Sequence, residues 1–324
     1  MIDIPPPIEL TPPDLDEHRK GNMGVEYVTT LEGGAPGPHA VITALIHGNE
    51  LCGAVALDFL LRARFTPRRG RLTLVFANVA AFRTFDPSNP SLSRFLDEDM
   101  NRVWSPEVLD GPRTSIELAR AREIRPVVEA ADFLLDLHSM QYPGEPLTLC
   151  GRTKRGRALA RALGFPGWVV SDGGHEGGRR LIDHPVFSSP SGAPTALLVE
   201  CGQHWEAVAA LNAIEAVLRF LLHLGMADEA FATPHLGAPA RGGQRFVEVT
   251  HVVTALTDHF VLETDLDSMD VIGRAGTLIA RDGRHEIRTP YDGCVLVMPA
   301  RRVRRGQTAV RLGRLVPDAC RADR

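Results

Sequence analysis

The sequence predicts an α/β fold in two parts: a large domain over residues 1–234, with a mostly parallel sheet covered by helices, and a small all-β domain over 235–324. Three observations lead there. Short apolar runs alternate with longer apolar-striped segments as far as about Pro234, which is how strands and crossover helices read. Beyond that point the texture changes to brief β-rich runs punctuated by glycine. The length of 324 residues also exceeds the size at which one hydrophobic core usually stops growing.

HAVITALI (residues 39–46) is continuously apolar and stops at HGNE, as a strand buried on both faces does. LCGAVALDFLLR follows as a helix, and RLTLVFANV (71–79) is the next strand. It runs into FDPSNPSLSRFLDEDMNRVW, an irregular polar stretch too long for a plain connection and of the kind that carries function. Thr114 and Glu117 form a capping-box pattern ahead of a helix reaching about Ala131. DFLLDLH, GWVV and TALLVEC are further strands, and HWEAVAALNAIEAVLRFLLHLGM after the last is a long apolar-striped helix. In the second part QRFVEVTHVV, HFVLETDL, TLIARDG, HEIRTPYDGCVLVMP and TAVRLG are strand candidates.

Composition narrows the function classes. A formal charge of −4 offers no basic field for counterion release, so nucleic acid is not the expected partner. No stretch approaches the roughly 18 apolar residues of a membrane span, and Met1–Pro13 lacks the apolar segment of a signal peptide. The five cysteines are widely spaced without a CxxC pair, which fits a reduced cytoplasm. The expected partner is a small molecule, with neither nucleic acid nor membrane, and a homo-oligomer is allowed.

Three buried-strand candidates end in polar residues: His47-Gly48-Asn49-Glu50, His138 and Glu200. In open α/β sheets the ligand crevice lies outside the carboxyl ends of the strands, so all three clusters face one crevice. A His and a Glu three residues apart on a strand-to-helix turn, joined by a His from a neighbouring strand, can share one ion. Two imidazoles and a carboxylate leave a fourth tetrahedral position for water, as catalytic zinc sites do. HxxE alone is common, and a strand-end His is often a satisfied structural residue; the convergence is what points to metal. Asp136 reads either as a buried carboxylate on backbone donors or as the partner of the His138 ring. Glu200 reads either as a helix N-terminal charge or as a general base beside a metal-bound water. Arg94, Asn101 and Arg102 are candidates for binding a carboxylate or an oxyanion. His175 and Glu176 lie in the glycine-rich SDGGHEGGRR, where no strand end presents them, and are read as loop residues bordering the substrate. Cys201 reads as a small buried hydrophobe and His204 as part of a helix start.

HGNE, RFLDEDMNRVW, DLHS and VECG, in this order and strand context, resemble the motifs of the succinylglutamate desuccinylase/aspartoacylase family, itself related to zinc carboxypeptidases. The resemblance implies a zinc-carboxypeptidase-like three-layer domain plus a barrel-sandwich-like second domain. It implies one Zn²⁺ per chain on His47, Glu50 and His138, with Glu200 as base and then acid. Arg94 would polarise the scissile carbonyl, while Asn101 and Arg102 hold the substrate carboxylate. The implied reaction is removal of an acyl group from a small N-acyl amino acid or related amine by metal-activated water. Two departures stand out. Aspartoacylases carry an arginine shortly before the catalytic glutamate strand that grips a second carboxylate, and HPVFSSPSGAPTALLV contains none; Arg179 and Arg180 lie further upstream. A neutral or cationic amino acid is therefore an open alternative. The tyrosine expected from the second domain has only Tyr291 as a candidate there, with Tyr142 of similar standing.

A zinc carboxypeptidase acting on short peptides and a non-catalytic ligand-binding relative are the competing readings. The second would be expected to have lost a ligand or the base, and all four are present. PYDGCVLVMP also resembles a biotinyl or lipoyl carrier, but no lysine follows Lys154, so covalent carriage is excluded.

Overall fold

The computed structural model describes residues 7–238, 243–263 and 266–317. Among the described residues there are fourteen strands: β1 (Val28–Glu32), β2 (His39–Ala44), β3 (Arg71–Phe76), β4 (Phe133–Met140), β5 (Leu147–Leu149), β6 (Trp168–Ser171), β7 (Thr195–Gln203), β8 (Arg245–Thr254), β9 (Phe260–Leu262), β10 (Val271–Ile272), β11 (Leu278–Asp282), β12 (His285–Arg288), β13 (Cys294–Val297) and β14 (Thr308–Val316). The four long helices are α1 (Leu51–Arg62), α2 (Ile116–Glu129), α3 (Lys154–Leu163) and α4 (Ala207–His223).

Every residue of β2 and β7 is buried, as expected for central strands covered on both faces. Alternate side chains separate into two layers. Ile42, Leu135, Leu137, Leu197 and Val199 pack with α1, α3 and α4, whereas Val41, Leu134, Ala196 and Leu198 pack with α2. The result is a helix–sheet–helix sandwich. The sheet order is β1-β3-β2-β4-β7-β5-β6-β8-β14-β13-β10. β3, β2, β4 and β7 run parallel, as do β5, β6 and β8, while β1, the β7–β5 junction and the β8-β14-β13-β10 end are antiparallel.

The mixed α/β architecture agrees with the sequence reading, and several details differ. β2 ends at Ala44 rather than Ile46, because Leu45 takes a positive φ of 61° that turns the chain into HGNE. β1 and the three-residue β5 were not expected; both are short, and β1 alternates burial without a strong apolar pattern. The N-cap of α2 is Ser115, whose side chain accepts from Leu118 N, so Thr114 and Glu117 form no capping box. α4 begins at Ala207, because β7 continues past Glu200 to Gln203 and holds His204 outside the helix. Beyond residue 234 the main sheet does not stop: β8 pairs parallel with β6 and carries it into the C-terminal segment. A separate three-stranded antiparallel sheet, β12-β11-β9, lies beside it. In β13, Cys294 and Leu296 point into a small C-terminal core with Ile279 and Val310, while Val295 and Val297 join the α2-side layer.

Helix α1 rests directly on the sheet at Gly53, where an added Cβ would sit 2.9 Å from the Cβ atoms of both Ala44 and Leu137. Glu50 immediately precedes that helix, so its position depends on this close approach. Gly53→Val should destabilise the fold by about 2 kcal/mol through overpacking. A denaturant midpoint equal to that of the parent chain would show that α1 does not need the contact.

Candidate active site

The strand ends bring His47, Glu50, His138 and Glu200 to one crevice of about 570 Å³, which Arg94, Asn101 and Arg102 also line. Parallel pairing sets this up: β4 and β7 are in register with His138 opposite Glu200, and Thr43 of β2 lies opposite Asp136. Gly48 lets the HGNE turn pass against the chain, since a Cβ there would lie 2.4 Å from Phe82 N and 2.5 Å from Ser93 O.

Glu50 stands between the two imidazoles. His47 Nδ1 is 2.7 Å from its Oε1 and His138 Nδ1 is 2.9 Å from its Oε2. The opposite ring nitrogens are held by other carboxylates, His47 Nε2 by Asp99 Oδ1 at 2.9 Å and His138 Nε2 by Asp136 Oδ2 at 2.8 Å. Thr43 Oγ1 in turn donates to Asp136 at 2.6 Å. Asp99 and Asp136 thus orient the two rings so that each Nδ1 faces the Glu50 carboxylate, while Arg94 Nη2 also approaches His47 Nε2 at 2.9 Å. The three donor atoms lie within 4.8 Å of one another.

The electrostatics suit a cation at that point. Burial would raise the Glu50 carboxyl, but His47 and His138 outweigh it and hold the group well below the usual range. Burial likewise disfavours a charged His138, yet Asp136 and Glu50 raise its pKa well above that of a free imidazole. Asp99 is held well below its ordinary value, with His47, Arg94 and Arg102 overcoming its burial. A buried, carboxylate-flanked imidazole that retains a proton marks a place where a divalent ion can supply the same positive charge. The donor set of two imidazoles and a carboxylate fits zinc.

Glu200 differs in character. It is 7% exposed, and its Oε2 has no hydrogen-bond partner among the described residues. Burial, with Glu50 adding to it and His138 and Arg94 opposing, pushes its carboxyl up to about 8. Arg94 donates from Nη1 to Glu50 Oε1 at 3.1 Å, and its Nη2 lies 3.4 Å from Asp99 Oδ2. Asn101 uses its Oδ1 to accept from Leu181 N at 2.8 Å, which leaves its amide N–H groups for a ligand. Arg102 donates to Asn101 O at 2.7 Å and sits 3.7 Å from Asp99.

The other candidates divide. Tyr142 lines the crevice; Tyr291 does not, its hydroxyl lying 2.5 Å from Thr250 Oγ1 and Arg314 stacking on its ring. Arg180 lines the crevice despite its distance in sequence, but Asp172 and Asp183 engage its guanidinium. His175 borders the crevice as a loop residue, while Glu176 instead approaches Thr254. His204 contacts Ser139 Oγ at 2.9 Å, and burial lowers it to about 3, so it is neutral. Cys201 is buried without a base beside it, and burial raises its thiol well above the ordinary value.

Three contributors escaped sequence reading. Asp99 lies inside the quoted RFLDEDMNR motif, two residues before Asn101, and that spacing was the available signal. Arg311 arrives from β14, where an arginine inside the otherwise buried run TAVRLG was the only hint. Glu117 is fully buried, and its Oε1 accepts from Leu96 N and Asn78 Nδ2, its Oε2 from Asp97 N and Glu98 N. This one carboxylate fastens the loop that presents Arg94, Asp99, Asn101 and Arg102.

Sequence and fold comparisons agree with this architecture. The architecture and the clustered donors define a class, the three-layer α/β proteins with a His-Glu-His site at the strand ends. Residues 36–163 match the model of the succinylglutamate desuccinylase/aspartoacylase catalytic domain. The match includes His47, Glu50, Arg94, Asn101, Arg102 and His138 and ends before Glu200. No curated protein matches the chain. A succinylglutamate desuccinylase/aspartoacylase from Rhodobacter sphaeroides superposes with a TM-score of 0.66 at 22% identity, over 91% of this chain and 90% of that one. The product-bound ectoine utilization protein EutE (DoeB) from Ruegeria pomeroyi gives 0.62 at 19% identity, over 90% and 89%. A succinylglutamate desuccinylase from Vibrio parahaemolyticus gives 0.63 at 19%, over 90% and 86%. At these identities the likeness is one of fold.

Glu117→Gln places an amide N–H against backbone donors, and hydrogen bonds to a charged group contribute about 1.5–3 kcal/mol each. The variant should lose about 2 kcal/mol of stability, with hydrogen-exchange protection lost first at the amides of Leu96, Asp97 and Glu98. Unchanged protection there would show that the loop is fastened elsewhere.

Proposed function

We propose that this protein is a zinc-dependent hydrolase that removes the acyl group from a small N-acyl amino acid or related amine. The observation that carries the proposal is the convergence of two imidazole Nδ1 atoms and the Glu50 carboxylate beside a buried Glu200 whose Oε2 has no hydrogen-bond partner among the described residues and whose carboxyl burial pushes up to about 8. The likeness of residues 36–163 to a deacylase catalytic domain supports it.

His47, Glu50 and His138 would hold one zinc per chain, and zinc, when bound, acidifies a water molecule and polarises a carbonyl. Glu200 takes the proton from the attacking water at a carboxylate oxygen and delivers it to the leaving nitrogen as the C–N bond breaks. Burial, which raises this carboxyl above the ordinary carboxylate range, suits it to hold a proton and release it again. Arg94 faces the charge that develops on the carbonyl oxygen, its own charge held by Asp99 and Glu50 against the effect of burial. The amide N–H groups of Asn101 and the guanidinium of Arg102 hold the substrate carboxylate.

Residues 1–234 form the catalytic part in this reading, and 235–324 wall one side of the crevice through Leu266, Met298, Thr308 and Arg311. A cavity of about 570 Å³ bounded in this way suits an N-acyl amino acid better than a peptide, which favours a deacylase over a carboxypeptidase. The four described cysteines are free and buried, which suits the cytoplasm as location. Among the described residues no helix is long and apolar enough to cross a membrane.

Glu200→Gln should retain zinc and lower turnover by about 10²–10⁴-fold, the usual worth of a positioned acid or base. Amine release from N-acetyl, N-succinyl and N-formyl amino acids measures this. Turnover equal to that of the parent enzyme would remove Glu200 from the reaction.

A further inference from the structure

His204 and Ser139 form a buried polar pair that the reaction as described does not use. His204 follows β7, and its backbone N–H donates to Met140 O at 2.9 Å, which fixes it against the end of β4. The two residues are 2% and 4% exposed, and both line the crevice. His204 Nδ1 lies 2.9 Å from Ser139 Oγ. Among the described residues Nε2 has no hydrogen-bond partner, and Ser139 Oγ has none besides His204. With Nδ1 engaged, Nε2 is the atom left for a ligand.

Counting donors and acceptors places the ring proton. If Nδ1–H donated to Ser139 Oγ, the serine hydroxyl hydrogen would be buried without an acceptor. If Oγ–H donates to Nδ1, both groups are satisfied and the ring proton sits on Nε2. The serine is itself held, its backbone N–H donating to Glu50 Oε2 at 3.1 Å. His204 therefore presents one N–H and no charge. Its place in the crevice follows from a chain of contacts. Ser139 N reaches Glu50 Oε2, Arg94 Nη1 reaches Glu50 Oε1, Arg94 Nη2 lies 3.4 Å from Asp99, and Asp99 stands 3.7 Å from Arg102. His204 and Arg102 are the two ends of that chain. The layers agree: Met100, Val103 and Trp104, around Asn101 and Arg102, pack on the α2 side of the sheet, whereas Trp205, next to His204, packs with α1 and α4 and donates to Asn49 O at 3.2 Å.

We infer that His204, oriented by Ser139, is a specificity residue that donates from Nε2 to an uncharged oxygen on the acyl group, beyond the scissile carbonyl. The inference rests on the deacylase reading for the identity of the ligand as a substrate. A substrate with its carboxylate at Asn101 and Arg102 and its carbonyl at Arg94 extends its acyl end along the chain of contacts toward His204. An ether, hydroxyl or primary amide oxygen fits there, because it accepts one hydrogen bond and brings no charge. A wholly apolar acyl group leaves a buried N–H without an acceptor, which costs affinity. A carboxylate meets a neutral ring and finds no guanidinium of its own, since Glu50 and Asp99 already engage Arg94.

The test is calorimetric titration of zinc-loaded, full-length Glu200→Gln protein, in which binding is read without turnover, using two matched pairs. N-methoxyacetylalanine and N-butyrylalanine differ by one ether oxygen in place of a methylene. The ether should bind about 3–10-fold tighter, as one neutral hydrogen bond provides. N-succinamoylalanine should likewise bind tighter than N-succinylalanine. Adding His204→Leu should bring the first ratio near unity, while His204→Gln, which keeps an amide N–H, should retain part of it. Ser139→Ala, which frees the ring to carry its proton on either nitrogen, should shrink the ratio as well. Equal affinities in the first pair with His204 intact would overturn the inference, and that comparison needs no further variant to fold. A ratio that survives His204→Leu, or tighter binding of the succinyl compound, would overturn it too. The parent protein, assayed on the same four amides, separates the two claims. A preference lost with His204 in a protein that hydrolyses none of them leaves the donor standing and removes the deacylase reading; hydrolysis without preference does the reverse.

Discussion

Glu50 is a carboxylate, 2% exposed, placed between two imidazoles at the end of a buried sheet. Such a group cannot stay ionised there without positive charge beside it, and it cannot move away because α1 begins at the next residue. Much of the surrounding structure answers that constraint. Asp99 and Asp136 occupy the outer nitrogens of the two rings and aim Nδ1 inward. Gly48 and Gly53 permit the turn and the helix to approach closely enough, and the β2-β4-β7 register sets His138 beside Glu200. Glu117, remote in sequence, fastens the loop that supplies Asp99 and Arg94.

The part of this legible in the sequence is the part dictated by burial and strand ends. Apolar runs such as HAVITA and FLLDL can only be central strands, and a polar cluster after each must lie at the sheet's carboxyl edge, so His47, Glu50, His138 and Glu200 converge by topology alone. Asp136 was readable as a ring partner because it precedes His138 by two residues on one strand face. Glu117 was misread because a carboxylate three residues after a threonine satisfies the capping pattern equally well, and only the folded loop shows that its acceptors serve residues 96–98. Arg311 was invisible for a different reason: its neighbours His175 and Asp172 lie more than a hundred residues away, and no local pattern encodes such a meeting.

The C-terminal segment shows how far composition carries. Its β character follows from the short alternating runs, but the pairing of β8 with β6 does not, since register across that gap is a tertiary choice. The consequence is functional. A sheet that continues past residue 234 delivers β14, and with it Arg311, to the edge of the crevice instead of holding a separate module at a distance.

Metal stoichiometry tests the central claim most directly. The account requires zinc-supplemented, dialysed protein to retain one zinc per chain by elemental analysis, and His138→Ala, which removes one of the two inward-facing nitrogens, to retain none. Parent protein without stoichiometric metal, or a His138→Ala variant that keeps it, would contradict the account.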